Sequence, residues 1–164
     1  MVQSKVVKRV KERSEETAIK LENVVLYELY KVLNKVLGAG AKGLGTSVGE
    51  EILNVMMKEY NLSFEGSNDP QELLNRFTET MINELGFAES GEIIVEGNNV
   101  TLKLDNPMDL YSLKLLEKKG IKPVLYPMAS AVAMAIRKFS GKNVLIKDIR
   151  VSDKRVEVNM LILG

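Results

Sequence analysis

The chain has 164 residues, 45% of them apolar and 27% charged, enough to bury the core of one domain. Its 23 Lys and Arg stand against 22 Asp and Glu, and the net charge of +1 argues against a general nucleic-acid binder. The absence of cysteine and histidine removes disulfides, thiolate and imidazole nucleophiles and the commonest zinc, iron and haem ligands. The composition therefore predicts neither metal nor cofactor and points away from an enzyme.

The first residues are charged, with no apolar segment behind them, so they do not read as a signal peptide. Residues 1–16 form a possible basic helical extension, in which Val2, Val6 and Val10 recur on one face. Five Lys and Arg against one Glu between Ser4 and Arg13 could meet anionic lipid or nucleic acid. The simpler reading is a solvated helix docked by its valines. From about Thr17 to Leu37, Ala18, Leu21, Val25, Leu29, Val32 and Val36 recur at three and four residues and predict an amphipathic helix.

Gly38, Gly40 and Gly43 then satisfy the spacing GxGxxG. A dinucleotide site needs a strand before that motif and a βαβ unit around it, and here helical periodicity precedes it. The stretch reads instead as a helix junction. Gly45 and Gly49, one turn apart, would let another helix backbone come close. The helix they open carries Val48, Ile52, Val55 and Met56.

Asp69-Pro70 is a helix start, an N-cap followed by proline at the first helical position. The helix it opens carries Leu73, Leu74, Phe77, Met81 and Leu85 and stops at Gly86. Glu92 to Glu96, and Val100, Leu102 and Leu104 alternating with polar residues, predict a hairpin turning at Gly97-Asn98-Asn99. A short helix or structured loop is expected over Asp109 to Lys119.

The fourteen residues Pro123 to Ile136 (PVLYPMASAVAMAI) carry no charge. A bilayer span needs roughly 20 apolar residues, so this run predicts a buried central element and no transmembrane segment. Ala and Met favour a helix from about Pro127 to Phe139. Strands over Asn143 to Val151 and Val156 to Leu163 close the chain around a Ser152–Arg155 turn. The expected fold is a single α+β domain, helices on a small antiparallel sheet of two hairpins. Its order is ααα-ββ-α-ββ, with one helix or two between the hairpins.

This order resembles the superfamily that unites small TRAPP vesicle-tethering subunits with prokaryotic 4-vinyl reductase, or hydrocarbon-binding, domains. Leu44-Gly45-Thr46-Ser47-Val48-Gly49 resembles its second helix, and Glu84-Leu85-Gly86-Phe87 the end of its third. Tyr126-Pro127-Met128 followed by small residues resembles the start of its central helix. The resemblance runs from about Asn23 to the C-terminus. It implies an apolar pocket beside the central helix and pairing into homodimers. Some relatives carry a cysteine-linked acyl chain; the stretch near Gly66 and Ser67 has no thiol, so covalent acylation of that type is not expected here.

Three functions compete on these grounds. The first is a non-catalytic cytoplasmic domain holding a hydrophobic small molecule, an acyl chain or hydrocarbon, against the 127–139 helix. Its expected lining is Leu33, Phe77, Met81, Leu125, Met128, Val132 and Met134. The second is a ligand-free homodimeric scaffold that uses Gly45 and Gly49 for close helix packing. The third is an enzyme using carboxylates and Lys, for which Glu50-Glu51 and Asp148-Asp153 are the acidic pairs to inspect. Adjacent helical residues point about 100° apart, so Glu50 and Glu51 cannot flank one substrate.

Overall fold

The computed structural model describes residues 15–66, 69–123 and 125–164. The valine stripe of the basic extension, and Ser67, lie outside these residues. Helix α1 spans Glu15–Leu37, and a 3-10 turn at Gly38–Gly40 leads into α2, Ala41–Glu59. Helix α3, Pro70–Glu79, widens into a π turn over Thr80–Glu84. Strands β1 (Ser90–Glu96) and β2 (Asn99–Asp105) form the first hairpin. Helices α4 (Leu110–Lys118) and α5 (Pro127–Ser140) follow, then β3 (Val144–Val151) and β4 (Arg155–Ile162). The fold is α+β in the expected order, with two helices between the hairpins.

Local chemistry fixes the boundaries. The Asp69 side chain accepts a hydrogen bond from the Gln71 amide at 3.0 Å, and Pro70 occupies the first helical position. At the end of α5, Gly141 takes φ +71°, and its N–H donates to the Arg137 carbonyl at 2.9 Å. A side chain there would be strained, so glycine ends the helix. The first hairpin turns on Gly97 and Asn98 alone, because Asn99 already pairs with Glu96.

The hairpins join through β2 and β4 into one antiparallel sheet of order β1-β2-β4-β3. Its inner face is apolar: Val100, Leu102 and Leu104 stand opposite Met160, Val158 and Val156, all buried. The outer face is polar, with Lys103 bonded to Glu92 at 2.8 Å and Thr101 to Asn159 at 3.2 Å. An antiparallel sheet can be dry on one side and wet on the other, as this alternation shows. Helix α5 lies centrally, packed by α2, α3 and β3, with Ala129, Ala131, Val132, Ala135 and Ile136 fully buried.

Helix α1 reverses what its periodicity suggests about the core. Leu21, Val25, Leu29, Val32 and Val36 are between 49% and 70% exposed. The docked face instead carries Asn23, Leu26, Tyr27, Tyr30 and Asn34, and α1 packs mainly on α4. Asn23 donates to the Met108 carbonyl at 2.6 Å and accepts from the Ser112 amide at 2.9 Å. Asn34 donates to the Lys122 carbonyl at 3.0 Å. Buried backbone groups at the start of α4 need partners, and the face that supplies them is held inward. Among the described residues, no helix is long and apolar enough to cross a membrane.

Candidate functional site: a cleft between the central helix and the third strand

Close approach of α2 and α5 shapes the site. A Cβ on Gly49 would collide with the Ser130 carbonyl and come within 3.0 Å of the Ala131 nitrogen. One at Gly45 would meet Ser130 Oγ at 3.3 Å and Leu125 at 3.4 Å. Glycine at 49 thus lets the two backbones touch. Beside that contact, α5 and β3 border a cleft of about 430 Å³ that Gly45 and Thr46 of α2 also line.

The apolar walls are Leu125, Ala133 and Met134 on the α5 side and Val144, Ile146 and Ile149 on β3. Ser130, Ala133, Met134 and Arg137 lie three and four apart and so share one face of α5. On β3 a bulge between Ile146 and Asp148 inserts one unpaired residue, Lys147. Ile146 and Ile149, three apart, therefore both fall opposite inward residues of β4, Met160 and Val158. The mouth carries Lys122, Arg137 and Lys147, all exposed, with Asp148 bonded to Arg150 at 2.7 Å. Tyr126 and Ser130 also line the cleft, and their buried hydroxyl oxygens lack hydrogen-bond partners among the described residues.

Behind Tyr126 lies a buried acid. Asp109 is 3% exposed, and its Oδ1 lacks a hydrogen-bond partner among the described residues. Burial pushes its pKa up to about 7, against smaller opposing effects of its own backbone amide and the nearby Tyr126 hydroxyl. Burial, then the Asp109 charge, raises Tyr30 and Tyr126 far above the ordinary phenol range. Below about pH 7 the Asp109 carboxyl therefore keeps its proton. A second, larger cavity of about 650 Å³ runs beside Val24, Met108 and Tyr111, whose exposed side chains make it an open groove.

Residues 22–160 match a family model described as "Putative rubredoxin C-terminal domain". The chain belongs to this rubredoxin C-terminal domain family. The description differs from that of the TRAPP and 4-vinyl reductase superfamily that the motifs resemble. No curated protein matches the chain. Among solved structures, a mutant of the T. tengcongensis H-NOX protein is similar at 10% identity, covering 82% of this chain and 70% of that one. Its TM-score is 0.43, a likeness too slight to bear on function.

In this chain the expected lining divides. Leu125 and Met134 line the cleft. Phe77, Met81 and Val132 are fully buried in the core, Met128 is 9% exposed, and Leu33 is half-buried on α1; none of these five lines it. The reason is helical phase: Met128 and Val132 lie on the opposite face of α5 from Ser130 and Ala133. Sequence reasoning missed Ser130, Ala133, Arg137, Ile146 and Ile149. One signal was available, since Ser130 begins an i, i+3, i+7 stripe that ends on the cation Arg137.

The acidic pairs do not converge. Asp153 sits in the β3–β4 turn, 3.7 Å from Lys114, while Asp148 is held by Arg150. Glu50 and Glu51 are exposed on α2. Among the described residues, no group of three or more acidic side chains could hold a metal ion.

Proposed function

We propose that this domain is a non-catalytic binding domain that holds a hydrophobic small molecule, an acyl chain or similar hydrocarbon, in the cleft between α5 and β3. The observation that carries this reading is the cleft itself, about 430 Å³ with Leu125, Ala133, Met134, Ile146 and Ile149 as walls. That volume falls within the ordinary range for ligand sites, roughly 300 to 1,000 Å³. Each methylene removed from water contributes about 0.8 kcal/mol, so a chain of moderate length outweighs the several kcal/mol that association costs. Methionine suits such a wall, because its unbranched thioether adapts to irregular shapes.

The polar groups favour an amphiphile. Lys122, Arg137 and Lys147 at the mouth suit an acidic end group, while the Ser130 hydroxyl, without a partner among the described residues, suits a polar atom held deeper. The family description ties such domains to rubredoxin, yet this chain has no cysteine and so supplies no thiolate ligand to iron. Its own part in such a protein is that of a companion domain. Titration with a fluorescent dodecanoate analogue tests the reading. Ala133→Phe fills the cleft and is expected to weaken binding at least tenfold with the melting temperature preserved. Unchanged binding by that variant would place any ligand elsewhere.

A second reading, a homodimeric scaffold, draws support from the apolar residues that α1 turns outward.

A further inference from the structure

Serine and threonine hydroxyls inside helices commonly bond back to a carbonyl one turn earlier. Thr78, Thr80 and Ser140 do so, to the carbonyls of Leu74, Arg76 and Ile136 at 2.9, 3.0 and 2.7 Å, and Ser112 bonds to that of Asp109. Ser130 does not. It is 3% exposed, and its Oγ lacks a partner among the described residues. The hydroxyl faces α2 at Gly45, where a Cβ would stand 3.3 Å from it, and both residues line the cleft. A buried hydroxyl without a bond is costly, so one kept at the wall of a cleft points to a polar atom supplied from within it.

Arg137 supplies a second polar group on the same wall. It lies seven residues beyond Ser130, so the two share one face of α5 about 10 Å apart along the helix axis. Ala133 and Met134 stand between them, with Ile146 and Ile149 on β3 as the other wall. Arg137 is exposed at the mouth, and the acid beside it, Asp148, is held by Arg150 at 2.7 Å.

We infer that the ligand of this cleft is a medium-chain acid with a hydroxyl near the far end of its chain, its carboxylate at Arg137 and its hydroxyl at Ser130. This rests on the binding reading above and adds the class of ligand and its direction. A zigzag of C–C bonds about 1.5 Å long advances about 1.3 Å per carbon, so the spacing of the two groups corresponds to about eight carbons. The guanidinium matches a carboxylate with two parallel hydrogen bonds, and the serine hydroxyl can donate to or accept from the distal oxygen. An unsubstituted fatty acid suits the same cleft less well, because its terminal methyl would cover Ser130 Oγ and leave it unbonded.

Calorimetric titration of the full chain with decanoate and with 10-hydroxydecanoate tests the inference. At a purely apolar wall the added hydroxyl would weaken binding by roughly tenfold or more, because it leaves water without a new partner. The expected result is the reverse, with the hydroxy acid bound at least as tightly as decanoate. Ser130→Ala is expected to weaken the hydroxy acid by about tenfold while decanoate stays within about twofold, which also shows the variant folded. Arg137→Gln should weaken both acids by the same factor. A parent protein that prefers decanoate, or a Ser130→Ala variant that keeps the parent's preference, overturns the inference alone. So does an Arg137→Gln variant that binds both acids as the parent does. A parent protein that binds neither acid overturns the binding reading as well.

Discussion

Asp109 shows how one buried group sets a pH dependence for the whole domain. Its folded-state pKa, pushed up to about 7, stands above the ordinary carboxylate value of 3.8 that it regains on unfolding. Between those values the folded state binds a proton that the unfolded state does not, so stability falls as pH rises from about 4 to about 7. Above that range both states are ionised and the loss is complete, on the order of 4 kcal/mol for a shift of this size. Asp109→Asn removes the titrating group and keeps the backbone carbonyl that Ser112 uses. Urea unfolding at pH 5 and pH 8 checks this: the variant should lose less stability than the parent between the two, and an equal loss would show that Asp109 does not titrate there.

At the scale of elements, the α2–α5 contact governs the site more than any single wall residue does. Gly49→Ala drives a methyl group into the Ser130 carbonyl, and the neighbours there are backbone rather than a side chain that could swing away. Overpacking of this kind costs about 1–3 kcal/mol and would force the helices apart. Gly45→Ala meets only the Ser130 hydroxyl and the end of Leu125, at 3.3 Å and 3.4 Å, and should be tolerated. A drop in melting temperature for the first that greatly exceeds that for the second is the expected result. Equal effects would mean that α2 and α5 do not touch at Gly49.

Helix and strand boundaries were legible because caps and turns act locally. Asp69-Pro70, Gly141 and Gly97-Asn98 each constrain the backbone within a few residues. The facing of α1 was not legible, since its apolar period shows that a stripe exists but not which side docks. Asn23 decides that through carbonyl and amide groups 85 and 89 residues away. The π turn after α3 likewise has no mark in the sequence that local rules would read.

At the scale of the whole molecule, the run from Pro123 to Ile136 points to the central helix but not to the face of it that borders the cleft. An apolar helix surrounded by protein gives little periodic signal for the side on which packing is incomplete, here only the stripe from Ser130 to Arg137. Leu125 and Met134 stand beside the gap, while Phe77, Met81, Met128 and Val132 fill the core behind it. The opposite wall comes from β3, whose bulge at Lys147 brings Ile146 and Ile149 to the cleft. That pairing depends on β4, well beyond the reach of periodicity in one segment.

The most direct measurement is native mass spectrometry of the full chain, before and after it is offered a dodecanoate or hexadecanoate salt, with Ala133→Phe alongside. The expected result is an added mass that extracts into organic solvent as a lipid-like compound, carried by the parent protein and lost from the variant. A parent protein that stays bare after exposure to either acid, or a variant that carries the same mass, would contradict it.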